Sequence, residues 1–273
     1  MKKELKDMFP KWCFEKGNYS TVLTNDLDSL LGCVIEQYVN GYEINHFYDF
    51  NTLFVNDPNY QSKLIGVDLA LHNGRSWCNH VVKVSEGDYV NPKTANINAI
   101  NGIHKDNYFD KYAMSTALLM WSFYDLPLPK TKLGKMLILS IDSGFLGHYN
   151  DRFKDIHTHY LELLEFPELI DLLNETDIEE FYELQQQYKT KATIKLNDEG
   201  YLETNLPLSK LEGVFNLPLE LPRGQFTLQK KYIDYACSTN KINSKSDIKR
   251  QLVSFALTNR NFCKFTYLKR ERN

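Results

Sequence analysis

Thr21–Ser29 reads TVLTNDLDS, and the fold turns on how this stretch is understood. Val22 and Leu23 make a short apolar run that stops at Asn25-Asp26-Leu27-Asp28-Ser29, after which Leu30, Leu31, Val34, Ile35 and Tyr38 recur with helical character. The order is strand, acid-bearing turn, helix. On an extended or turning backbone Asp26 and Asp28 can both lean over the carboxyl end of a sheet, where open α/β folds keep their ligands. Two carboxylates there ask for a cation. The alternative is an Asx-type turn in which Asp28 or Ser29 simply caps the helix.

Downstream, Asn40-Gly41 stops the first helix. Tyr42 to Asp49 then alternates as a second strand does, and Asn56-Asp57-Pro58-Asn59 has turn chemistry. Upstream, Trp12 and Phe14 are expected to dock on the first strand. Lys63 to Leu71, KLIGVDLAL, is apolar on both sides of a single charge, Asp68, as suits a strand buried on both faces of a parallel sheet. Burying an unpaired carboxylate is expensive, so Asp68 either sits solvated at the strand end or ligates a metal. Trp77 to Val82 reads as a further short strand carrying His80. Residues 85 to 107, rich in Asn, Gly, Asp and Lys, read as a long active-site loop or lid. Phe109 to Tyr124 reads as a core helix closed by Pro127 and Pro129. Met136 to Ile141 is an apolar run delivering Asp142-Ser143-Gly144, the third such run to end in an aspartate.

Phe153 to Leu173 is expected to be helical with a break near Pro167, and Asp177 to Tyr188 to be a polar connecting helix. Thr193 to Leu206 has hairpin form, with Gly200 supplying positive φ. A helix is expected at residues 228 to 237, and strand-like runs flank Thr258-Asn259-Arg260-Asn261. The fold class is therefore α/β, with a parallel-sheet metal-binding domain over residues 1–165, a helical connector over 166–190 and a smaller mixed α/β unit over 191–273.

Composition narrows the function classes. The chain has 273 residues, 42% hydrophobic and 25% charged, an ordinary globular balance. A net charge of -3 gives no global basic field, so a polyanion would be held by a local patch or by metal. Cys13, Cys33, Cys78, Cys237 and Cys263 are scattered with no CxxC pair, which fits neither a disulfide framework nor a zinc site. A reducing cytoplasm is the expected location. No apolar run is long enough to span a bilayer, so no membrane partner is expected.

Asp26, Asp28, Asp68, His80 and Asp142 each stand at the mouth of an expected strand. Oxygen donors with one imidazole suit Mn²⁺ or Mg²⁺ better than a thiol-rich zinc site. Four carboxylates carry enough charge for two cations, which together clamp a phosphoryl group and lower the pKa of water towards neutrality. A single-Mg²⁺ site with Asp26 as nucleophile and Asp28 as acid is the rival, and it leaves Asp68 and His80 without roles.

The succession NDLDS, GVDLAL, NHV and then KYAMSTALLMW before SIDSGF resembles the DHH phosphoesterase family over roughly residues 20 to 150. The resemblance implies a metal-dependent phosphoesterase acting on a nucleotide, a short oligonucleotide or single-stranded nucleic acid, with two Mn²⁺ or Mg²⁺ per chain. It implies that Asp26 ligates one metal, Asp28 the other, that Asp68 bridges, and that His80 and Asp142 complete the set. Asp26, Asp28 and His80 are then the catalytic candidates. The chain departs from the pattern at two places. The family's name motif falls on Asn79-His80-Val81, without its leading Asp or second His, or on Cys78-Asn79-His80, a register equally defective, and Thr24 stands where a His often precedes the first aspartate. A catalytically weakened nucleotide or nucleic-acid binding protein is the corresponding alternative, with His72 and His104 as possible stand-ins. Arg260 and the cluster Lys264, Lys269, Arg270 and Arg272 are the candidates for phosphate contacts, the cluster's alternative being a solvated terminus.

Overall fold

The computed structural model describes residues 1–268 of the chain. Lys269, Arg270 and Arg272 lie outside them. After a short helix α1 (Lys3–Lys6), the chain enters β1 (Tyr19–Leu23), turns at Asp26 into α2 (Leu27–Asn40), and returns through β2 (Ile44–Tyr48), β3 (Thr52–Val55) and β4 (Lys63–Val67). Then follow β5 (Arg75–Trp77), β6 (Thr94–Ala95), α3 (Ile97–Ile100), α4 (Thr116–Phe123), α5 (Lys132–Ser140), α6 (Lys154–Leu163), α7 (Pro167–Asn174) and α8 (Ile178–Gln187). The hairpin β7 (Ile194–Leu196) and β8 (Leu202–Thr204), α9 (Leu208–Phe215), β9 (Thr227–Ser238), β10 (Leu252–Asn259) and β11 (Phe262–Leu268) complete it.

The large sheet has nine strands in the order β10-β11-β9-β3-β2-β1-β4-β5-β6, and β7 and β8 form a separate pair. From β2 to β6 every pairing is parallel, with β1 flanked by β2 and β4. The chain therefore leaves β1 towards one side and returns as β4 on the other. That reversal opens a crevice between the carboxyl ends of β1 and β4, the usual ligand position in open α/β sheets. From β3 to β10 every pairing is antiparallel.

Burial explains the parallel part. Every residue of β1 and of β2 is buried, and α2 lays Leu30, Leu31, Val34 and Ile35 on the sheet. A Cβ at Gly32 would lie 2.5 Å from Val67 and 3.0 Å from the Met120 sulfur, so glycine lets α2 approach both β4 and α4. Gly41 ends α2 at φ 75, as its sequence position implies. Trp12 packs on Trp77 of β5, in one core cluster with Tyr19 and Leu23 of β1, while Phe14 is exposed beside Phe123.

Several expected elements differ. The run Met136–Ile141 is not a strand: α5 covers all of it but Ile141, and Asp142 leaves the helix at φ 53. The core helix α4 begins only at Thr116, where the Ser115 side chain caps it by accepting from Leu118 N. Residues 85 to 107 are not a lid. Asn91, Asn96 and Asn98 are buried there, and their side chains bond backbone groups at Leu71, Gly74, His80, Asn79 and Tyr112. Side-chain amides thus replace the missing ladder. The expected strand over Trp77 to Val82 starts two residues earlier and ends at Trp77.

Residues 228 to 237 form most of β9 and no helix. Its first part pairs with β3 and its second with β11, so β9 joins the expected C-terminal unit to the parallel strands in one ladder. The sheet curls until β10 meets the segments that follow β4 and β5: Leu71 bridges Ser254 and Val81 bridges Leu257. Within the expected connector, α8 buries Phe181 in a stack on Phe145 at 4.5 Å. Among the described residues, no helix is long and apolar enough to cross a membrane.

Candidate metal centre

Asp26 is the N-cap of α2, its Oδ1 accepting from Ser29 N at 2.9 Å. The cap is thus neither Asp28 nor Ser29. The Ser29 hydroxyl has another task, accepting from Thr24 N and donating to Val67 O, both at 2.8 Å. It ties the ends of β1 and β4 together at the crevice. One residue before it, Asp28 points across to α4, where Thr116 N and Ala117 N each donate to one of its oxygens at 2.7 Å. The amino ends of α2 and α4 therefore converge on these acids, which favours negative charge there.

Asp68 follows β4 at φ 52, a left-handed turn that aspartate tolerates better than most residues. It is buried rather than solvated, and Thr116 Oγ1 donates to its Oδ1 at 2.7 Å. Asp142 is exposed. Ligand atoms of Asp28, Asp68 and Asp142 all lie within 4.8 Å of one another, so this triad can hold a metal ion. Asp26, Asp68 and His80 line one small cleft of about 130 Å³ whose far wall is β10 and β11, including Ser254, Thr258, Lys264 and Thr266. His80 Nδ1 lies 3.6 Å from Asp68 and 3.5 Å from the Cys78 sulfur.

The electrostatics agree with a cation site. Burial, then the charges of Asp68 and Asp142, push Asp26 up to about 8. Asp28 is raised well above the carboxylate range by burial, then by Asp68, Asp142 and Asp26, against the opposing Ala117 N–H. Burial and then Asp142 raise Asp68 to about 7, against the Thr116 hydroxyl. Burial lowers His80, with Asp142 opposing and Lys111 assisting, which keeps the imidazole neutral and able to ligate. Among the described residues none of these aspartates has a lysine or arginine partner; the one ion-pair contact is His80 with Asp68. Like charges held together without a counter-charge are costly, and a hard divalent cation is the counter-charge that oxygen donors suit. Burial pushes the Cys78 thiol up, which disfavours its thiolate.

Arg260 does not reach the cleft. It is exposed in the turn between β10 and β11, with its guanidinium 5.7 Å above the Phe109 ring. Lys264 lines the cleft but pairs with Asp234 at 3.0 Å. His72 and His104 line neither this cleft nor the larger cavity beside Asp142, so neither supplies a second imidazole. Sequence reasoning missed Thr116, which serves both Asp28 and Asp68. The signal was Ser115, an N-cap residue type two positions before the apolar run ALLMW, with Thr116 between. Comparisons of the chain with protein-family models, with curated proteins and with solved structures found no match in any of the three.

Proposed function

We propose that the chain is a divalent-metal-dependent phosphoesterase of DHH type, acting on phosphodiester bonds of a nucleotide or short single-stranded nucleic acid. One observation carries this reading: the Asp28, Asp68 and Asp142 carboxylates converge within 4.8 Å at the point where the sheet order reverses. Asp26 and His80 flank the triad on the side facing β10 and β11. Bound Mn²⁺ or Mg²⁺, one or two per chain, would supply charge stabilisation and an acidified water.

The chain's own groups do the rest. The α4 amides fix Asp28, and the Thr116 hydroxyl fixes Asp68, so both acids are positioned before any ligand arrives. His80, held neutral by burial, can accept a proton at Nε2, the nitrogen turned away from Asp68 and Cys78. The curl of β10 and β11 over the cleft limits water and presents Lys264 and the Ser254 and Thr258 hydroxyls to an anionic substrate.

A second reading, a binding protein with little turnover, is favoured by Val81. In the Asn79-His80-Val81 register it stands at the second histidine of the family motif, and its side chain is buried in the apolar cluster under β10 with no proton to give. Hydrolysis of labelled di- to pentanucleotides with Mn²⁺ and with chelator separates the two. Slow product formation that requires Mn²⁺ and is lost in Asp26→Ala and Asp28→Ala is expected. Tight binding without metal-dependent product, at enzyme equal to substrate, would establish the binding reading instead.

A further inference from the structure

Asp142 belongs to the acidic triad and also lines a cavity of about 550 Å³, separate from the small cleft and within the usual size of small-ligand sites. Its walls are largely aromatic and aliphatic, among them Tyr108, Phe109, Tyr149, Phe153, Met114 and Leu146. Basic groups lie against two of these rings, and of the three only Lys111 lines the cavity itself. The Arg152 guanidinium sits 4.0 Å from the Phe109 ring centroid, Arg260 approaches the same ring at 5.7 Å, and the Lys111 ammonium lies 4.7 Å over Tyr108. Flat rings, the Lys111 ammonium and a carboxylate of the metal-binding triad in one lining suit a ligand that is planar at one end and anionic at the other.

His157 lines the same cavity at 5% exposure, and its Nε2 donates to the Gly144 carbonyl at 2.7 Å, which fixes the ring as part of the wall.

We propose that this cavity seats the base of a nucleotide substrate, with the phosphate at the Asp142 end. The proposal deepens the phosphoesterase reading and rests on it for the phosphate end. It makes the substrate a nucleotide ester recognised through its base, and it disfavours pyrophosphate and sugar phosphates.

The test is calorimetric titration of the full chain, loaded with Mn²⁺, with 5′-AMP and separately with ribose 5-phosphate. Base stacking on aromatic side chains leads us to expect AMP to bind about tenfold tighter or more. Phe153→Ala should reduce AMP affinity about tenfold and leave ribose 5-phosphate unchanged. Leu146→Trp, at a position already 41% exposed and so tolerant of a larger ring, should block AMP by filling the cavity. Equal affinity for the two ligands, or AMP binding unchanged in a folded Leu146→Trp protein, would overturn the proposal. Dinucleotide hydrolysis by the unaltered chain is run beside it. Metal-dependent hydrolysis with no base preference removes the base seat alone. AMP binding blocked by Leu146→Trp, with no hydrolysis, keeps the base seat and removes the phosphoesterase reading.

Discussion

Helix α2 carries two buried acids, and their surroundings differ completely. Asp28, 1% exposed in the first turn, faces Asp68 and Asp142 with no cationic side chain beside it. Glu36, 0% exposed in the last half of the helix, faces three donors: Trp77 Nε1 at 2.5 Å and Tyr124 OH at 2.8 Å on Oε1, and Asn40 Nδ2 at 2.8 Å on Oε2. Glu36 is saturated by neutral groups of the same scaffold, pinning α2 to β5 and to the end of α4. Asp28 is positioned by two amides, yet its charge remains opposed by like charges. Burial alone therefore does not mark a functional acid. A buried acid whose partners are all donors belongs to the framework, and one whose neighbours are other acids awaits a cation.

The largest expected effect lies at the framework acid. Glu36→Ala strands the indole N–H, the Tyr124 hydroxyl and the Asn40 amide, and should cost about 3 kcal/mol or more, since each unpaired buried group costs about 1–3 kcal/mol. Urea denaturation of the two proteins measures it. A loss below about 1 kcal/mol would mean that the network contributes little and would dissolve the contrast between the acids.

A smaller effect concerns pH. Burial raises Glu36 above its ordinary 4.5, opposed first by Asn40, so the fold favours the protonated form. Its contribution to stability is then full below that ordinary value and is lost as pH rises through the folded pKa. Glu36→Gln cannot ionise, so its melting temperature should gain on that of the parent as pH rises above that ordinary value. Parallel curves across that range would show that Glu36 ionises as readily folded as unfolded.

The local grammar of the sequence carried much of this. The β1 turn and α2, the Gly41 stop, the strand before Asp68, the break at Pro167 and the hairpin around Gly200 all follow from short-range pattern. What failed was long-range. Leu228, Tyr232 and Tyr235 have spacing that a helix also accepts, and only pairing with β3 and β11 makes them a strand. Met136 to Ser140 is apolar enough for either element, and packing settled it as α5. The acids themselves were legible one by one. Their convergence was not, because Asp142 reaches Asp28 and Asp68 only through a left-handed turn after a helix. The cavity beside Asp142 was also illegible, since its walls come from segments as distant as Tyr108 and Ile178.

The claim that the aspartates are held for a cation is tested most directly by thermal denaturation of the parent chain and Asp68→Asn, each in chelator and in Mn²⁺. Asparagine keeps the left-handed backbone and can still accept from Thr116, while it removes one of the opposed charges. In chelator the variant should melt no lower than the parent, because a charge that raises its neighbours' pKa values destabilises the metal-free fold. In Mn²⁺ the parent should gain about 2.7 kcal/mol at a hundredfold excess over Kd, and the variant should gain little. A parent chain indifferent to Mn²⁺, together with a variant that melts well below it in chelator, would make Asp68 a framework residue like Glu36 and contradict the account.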